Sequence, residues 1–87
     1  MEEQTAFESK VELARKWIRE AVCIRGFERS AVTVVLYPDA VTLRLTIMDP
    51  DFTDYFNRRL ITGIADGDVS IRDEAIRRIE CIPPRRA

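Results

Sequence analysis

An α+β fold is predicted for this chain: a helix, an antiparallel β-hairpin and two further helices, in the order α-β-β-α-α, as one small domain over residues 1–87. Three observations predict it. Residues 4–25 repeat apolar side chains at helical spacing. Residues 31–47 alternate in polarity on either side of Pro38-Asp39. From Asp49 onward, two more helical patterns are separated by Gly63 and the Asp66-Gly67-Asp68 turn.

In the first helix, Phe7, Val11, Ala14, Ile18, Ala21 and Val22 fall on one face, and Glu8, Glu12, Arg15, Lys16, Arg19 and Glu20 on the other. Gly26 ends it, because glycine adopts the left-handed conformation of a C-cap without strain. A second stripe of Ala6, Leu13, Trp17 and Ile24 lies roughly 100° around the helix from the first. It needs a second cover, and Leu13, Trp17 and Ile24 are the candidate contacts of a homodimer.

The hairpin turns at Pro38-Asp39, where proline presets φ at the second turn position and aspartate tolerates the third. Closing there pairs Leu36 with Val41, Val34 with Leu43 and Val32 with Leu45. All these aliphatic residues share a face, because side chains alternate with period two. The other face carries Thr33, Val35 and Tyr37 on one strand and Thr42, Arg44 and Thr46 on the other. Both edges of such a hairpin lack partners, which invites pairing with another chain.

Asp49-Pro50 reads as a helix start, a capping acid followed by proline at the first helical position. The second helix then runs to about Thr62, burying Phe52, Tyr55, Phe56 and Leu60, exposing an Asp54–Arg58 pair and ending at Gly63. The third runs from about Ser70 to Cys81, with Ile71, Ala75, Ile79 and Ile82 on one side. Residues 1–3 and 83–87 are expected to be disordered ends.

The composition argues against catalysis. There is no histidine, which removes the usual general base at neutral pH and the Ser-His-Asp and Cys-His arrangements. Cys23 and Cys81 are too few and too far apart for a structural zinc site, and are expected to be free thiols. The three glycines are isolated, so no phosphate-binding loop exists. Asp66 to Glu74 fails as a calcium loop, with Val69 at the glycine position and Ala75 at the bidentate glutamate position. Neither enzyme activity, cofactor nor metal is expected. No apolar run approaches the roughly 20 residues that cross a bilayer. The amphipathic start resembles no leader, which predicts a cytoplasmic protein without membrane contact.

The strand Val41-Thr42-Leu43-Arg44-Leu45-Thr46, a helix, a short turn and the helix Arg72-Asp73-Glu74-Ala75-Ile76-Arg77-Arg78-Ile79 together resemble the ribbon-helix-helix DNA-binding family over residues 41–79. The resemblance implies a dimeric transcriptional regulator in which Thr42, Arg44 and Thr46 enter the major groove. The start of the last helix, near Ser70, would meet a phosphate.

The residues themselves favour another reading: a small non-catalytic protein that binds, and regulates or inhibits, a protein partner. Twelve arginines stand against two lysines with a net charge of -1. Arginine and aromatic residues are enriched, and lysine depleted, where interfaces concentrate their energy. The expected partner-binding residues are Thr33, Val35, Tyr37, Thr42, Arg44 and Thr46. By type alone, the chain resembles the compact inhibitors of phages and mobile elements, anti-CRISPR and antitoxin proteins among them. On this reading DNA is not a partner.

Overall fold

The computed structural model describes residues 2–48 and 51–83. The architecture is α+β: helix α1 (Glu2–Ile24), a short 3-10 turn (Arg29–Ala31), strands β1 (Val32–Leu36), β2 (Leu43–Met48) and β3 (Asp51–Phe56), then helices α2 (Arg58–Asp66) and α3 (Val69–Glu80). The strands form one antiparallel sheet in the order β1-β2-β3. Glu2 and Glu3 belong to α1 and Pro83 follows the last turn, while Met1 and residues 84–87, where disordered ends were expected, lie outside the described residues.

The alternation read from the hairpin holds. Val32, Val34, Leu43, Leu45 and Ile47 are buried, and Leu36 packs against the same core. The register differs by two residues from the expected pairing: Leu36 faces Leu43, Val34 faces Leu45 and Val32 faces Ile47. A shift of two preserves every side chain's face. Ile47 therefore takes the place expected for Val41, which lies in the loop.

The cause of the shift is the turn. The Ala40 N–H donates to the Tyr37 carbonyl at 2.8 Å, with Pro38 and Asp39 at the central positions as expected. Ala40 then takes a left-handed φ of 62°, and the Tyr37 N–H donates to the Thr42 carbonyl at 2.8 Å. Four residues thus span the loop between Tyr37 and Thr42. The Asp39 carboxylate holds it, accepting from the Val41 and Thr42 amides at 2.9 and 3.1 Å and from the Thr42 hydroxyl at 2.9 Å.

Residues 51–56 are strand, not helix. The expected helix start at Asp49-Pro50 lies outside the described residues, and Asp51 to Phe56 pair along the whole of β2. Phe52, Asp54 and Phe56 turn inward; Asp51, Thr53 and Tyr55 turn outward. The inward aspartate does not pair with Arg58 as expected. It meets Arg78 of α3 at 3.3 Å, an ion pair at the flank of the core. Tyr55, expected to be buried, is exposed.

Helix α2 therefore begins later, capped by Asn57, whose side chain accepts from the Leu60 amide at 3.0 Å. It ends at Gly67 (φ 79°) rather than at Gly63. Gly63 lies within the helix, where an added Cβ would overlap the Ile71 side chain. Asp68 caps α3 through the Ile71 amide at 3.2 Å. All three helices lie on the inward face of the sheet. Val11, Ala14, Ile18 and Val22 of α1, Leu60, Ile61 and Ile64 of α2, and Ala75 and Ile79 of α3 join the strand residues in one core, together with Phe27 and Ile82.

Arg72 ties the helical layer together. Its Nε and Nη2 donate to the Ile64 carbonyl at 3.0 and 2.8 Å, adding to the 3.3 Å bond that this carbonyl accepts from the Gly67 N–H at the end of α2. Its guanidinium lies 5.6 Å from the Trp17 ring centroid on α1.

The close approach at Gly63 yields a test in which two effects oppose each other. Alanine favours a helix interior over glycine by about 1 kcal/mol. Forcing a methyl into a packed contact costs about 1–3 kcal/mol. Because the contact is with the branched carbon of Ile71, which cannot swing away, the steric cost should win. Gly63→Ala is expected to lower the urea unfolding midpoint, and the double variant with Ile71→Ala, which removes two of the three overlapping carbons, should lose less than the sum of the two single losses.

Candidate functional site: the open face of the sheet

With the helices on one face, the described residues leave the other face of the sheet uncovered. Its rows follow from the register. Thr33, Thr46 and Thr53 lie side by side across the three strands, and Val35, Arg44 and Tyr55 form the neighbouring row. Tyr37 extends β1 beyond the Val35 row, and Met48 stands at the opposite end, 68% exposed.

The ladder determines how these side chains meet. Because Tyr37 and Thr42 are a hydrogen-bonded pair, the alternation makes Val35 and Arg44 hydrogen-bonded as well. Arg44 and Tyr55 are then a non-hydrogen-bonded pair, the closer of the two types. The result is a compact cluster. The Tyr37 and Tyr55 rings are 5.6 Å apart between centroids and tilted by 54°, and the Arg44 guanidinium lies 5.5 Å from the Tyr37 centroid. Hydrogen bonding to Tyr37 is the main reason the Tyr55 phenol is held above its ordinary pKa, while the charge of Arg44 acts the other way. The Tyr55 phenol therefore stays protonated at neutral pH. The cluster suits recognition rather than acid-base chemistry.

The edges of the sheet are covered in part. The outer edge of β2, open in a simple hairpin, is taken by β3. On β3, the outward Tyr55 N–H donates to Asp54 Oδ1 at 2.8 Å, and Arg78 Nη1 donates to the Tyr55 carbonyl at 3.3 Å. On β1, Val32 and Val34 are almost wholly buried.

Of the residues expected to bind a partner, Thr33, Val35, Arg44 and Thr46 are brought together directly by the register, and Tyr37 joins them through Arg44. Thr42 is different: its hydroxyl is committed to Asp39 in the loop. Thr53, Tyr55 and Met48 complete the face and were missed: Thr53 and Tyr55 because residues 50–62 read as helix, and Met48 because the expected hairpin ended at residue 47. Phe52 and Phe56 on one parity are the strand signal for Thr53 and Tyr55, but Asp54 interrupts it.

The second apolar stripe of α1 does not act as one surface. Trp17 is half-buried against the core and covered by Arg72, whereas Leu13 and Ile24 are 56% and 85% exposed. Cys23 and Cys81 are free thiols, and among the described residues neither belongs to a group of side chains that could hold a metal ion. A depression of about 750 Å³ runs along the outer flank of α1 to Arg29, lined by Glu12, Arg15, Lys16 and Arg19. Arg15 there is already paired with Glu12 at 3.2 Å.

Comparison with protein-family models, with curated proteins and with solved structures finds no match.

The loop that holds Tyr37 and Thr42 has a pH signature. Hydrogen bonds from the Val41 amide, and then from the Thr42 hydroxyl and amide, hold the Asp39 carboxyl below its usual pKa. A depressed folded-state pKa adds stability that is present above the unfolded value, about 3.9, and is lost as pH falls through the folded value. The difference in urea midpoint between wild type and Asp39→Asn should therefore be full at pH 7 and shrink below about pH 4.

Proposed function

We propose that the chain is a small non-catalytic protein that regulates or inhibits a protein partner, and that the uncovered face of its sheet is the surface it uses. The observation that carries this reading is the Tyr37–Arg44–Tyr55 cluster, bordered by Val35 and three threonines, on a face that none of the described elements covers. Aromatic and arginine side chains supply most binding energy at interfaces, and a pre-formed stack gives up little rotamer freedom on binding. A compact regulator of the kind encoded by phages and mobile elements fits this size and surface.

The DNA-binding alternative is less well supported. A ribbon-helix-helix dimer pairs its strand with that of its mate, whereas both sides of β2 are occupied by β1 and β3. A major groove about 12 Å wide admits a two-stranded ribbon, not a wider sheet. Residues 41–82 also hold eight acids against six arginines, the wrong balance for phosphates.

Affinity capture from the native host with wild type, Tyr37→Ala and Arg44→Ala tests the two readings together. A protein retained by wild type and lost or strongly reduced with both variants is the expected result, with modest salt sensitivity. Titration against random duplex DNA should show no binding at low salt. Micromolar binding that disappears at moderate salt would instead favour the DNA reading.

Self-association belongs to the same proposal but to a different surface. Leu13 and Ile24 share one exposed side of α1, and we assign a homodimer contact to them, leaving the sheet face free. Sedimentation at micromolar concentration should show a species of twice 10.1 kDa that Leu13→Glu converts to monomer. A wild-type monomer would exclude it.

A further inference from the structure

We infer that the partner meets Arg44 with a carboxylate, so that the ligand of this face is a protein segment carrying an aspartate or glutamate among apolar residues. The inference rests on the proposal that the open face is the interface. Arg44 stands on the central strand, in the middle of a face otherwise made of threonine, valine and tyrosine. Among the described residues it has no ion-pair partner: the four salt bridges join Lys10 to Asp66, Arg15 to Glu12, Arg59 to Glu74 and Arg78 to Asp54. Asp39, the acid of the loop, is engaged by three hydrogen bonds from Val41 and Thr42.

The guanidinium is also held in place. Tyr37 stacks against it, and its Nε is shielded from solvent without a hydrogen-bond partner. Its free donors are therefore the terminal Nη1 and Nη2, a planar pair that matches the two oxygens of a carboxylate. Any partner that covers this face desolvates the charge, and a desolvated charge without a counter-charge opposes binding. An apolar partner is disfavoured for that reason, and so is a phosphate-rich one by the acidic balance of the chain. A second copy packed on the same face would bring another Arg44, and among the described residues the acid with outward parity is Asp51, at the corner of the sheet beside Met48.

A random peptide library displayed on phage, panned against the folded chain, tests this. The selected peptides are then measured against wild type, Arg44→Gln, Arg44→Lys and Val35→Asp, each checked for native unfolding. Peptides that share an acidic position flanked by apolar residues, weaken about tenfold or more on Arg44→Gln, and weaken less on Arg44→Lys are the expected result. Replacing the acid by its amide should weaken wild type by a similar factor and leave Arg44→Gln little changed. Peptides that compete for the face, as judged by loss of binding to Val35→Asp, yet carry no acid or ignore Arg44→Gln would overturn the carboxylate while leaving the face as interface. Selected peptides indifferent to both Val35→Asp and Arg44→Gln, or no selected peptide at all, would overturn both.

Discussion

The structure depends on one constraint: a three-stranded sheet with helices on a single side. Leu43, Leu45 and Ile47 of the central strand are at most 1% exposed, and each of the other elements is placed by the need to cover them or pair with them. Helix α1 supplies Val11, Ala14, Ile18 and Val22, and α2 supplies Leu60, Ile61 and Ile64. Burial of this kind contributes roughly 1.5–3 kcal/mol per large aliphatic side chain before conformational entropy is set against it. The alternation that drives those residues inward also fixes their neighbours outward. The core and the candidate interface are thus two halves of one period-two pattern, and neither can shift register without the other.

That pattern was legible where nothing competed with it. In residues 31–47 the apolar positions, the β-branched residues and Pro38-Asp39 agree, so the faces were correct even though the register moved by two. The α1 stripe and Gly26 were equally plain, as was the start of α3. Residues 51–56 were not, because two signals disagree. Phe52, Tyr55, Phe56 and Leu60 have helical spacing, and Asp49-Pro50 has the chemistry of a helix start. The strand alternation in the same residues is spoiled by Asp54, which occupies an inward position where an apolar side chain would be expected. Only tertiary structure resolves the conflict: Arg78, far along the chain, reaches Asp54 and removes the objection to a carboxylate there. Once β3 is a strand, the unpaired edge of β2 is satisfied and Tyr55 moves from the expected core to the outer face. Half of the aromatic cluster was invisible in the sequence for that reason alone.

Gly63 and Gly67 show the same ambiguity at smaller scale. Both are plausible helix ends by residue type, but glycine serves two different needs. Gly67 adopts the left-handed conformation that terminates α2, whereas Gly63 makes room for Ile71 on the neighbouring helix. A local pattern cannot distinguish a demand on backbone angle from a demand on space.

Trp17 is the chain's single tryptophan, and it lies in the helical layer with the Arg72 guanidinium against its ring. The tyrosines, by contrast, are both on the far side of the sheet. The molecule therefore carries two optical reporters separated by its own core. Indole emission follows the docking of α1 onto α3, and phenol absorbance follows whatever approaches the open face. A ligand on that face that altered tyrosine signals while leaving the indole silent would bind without rearranging the helices. A change in both would mean that the sheet transmits strain to the layer beneath it.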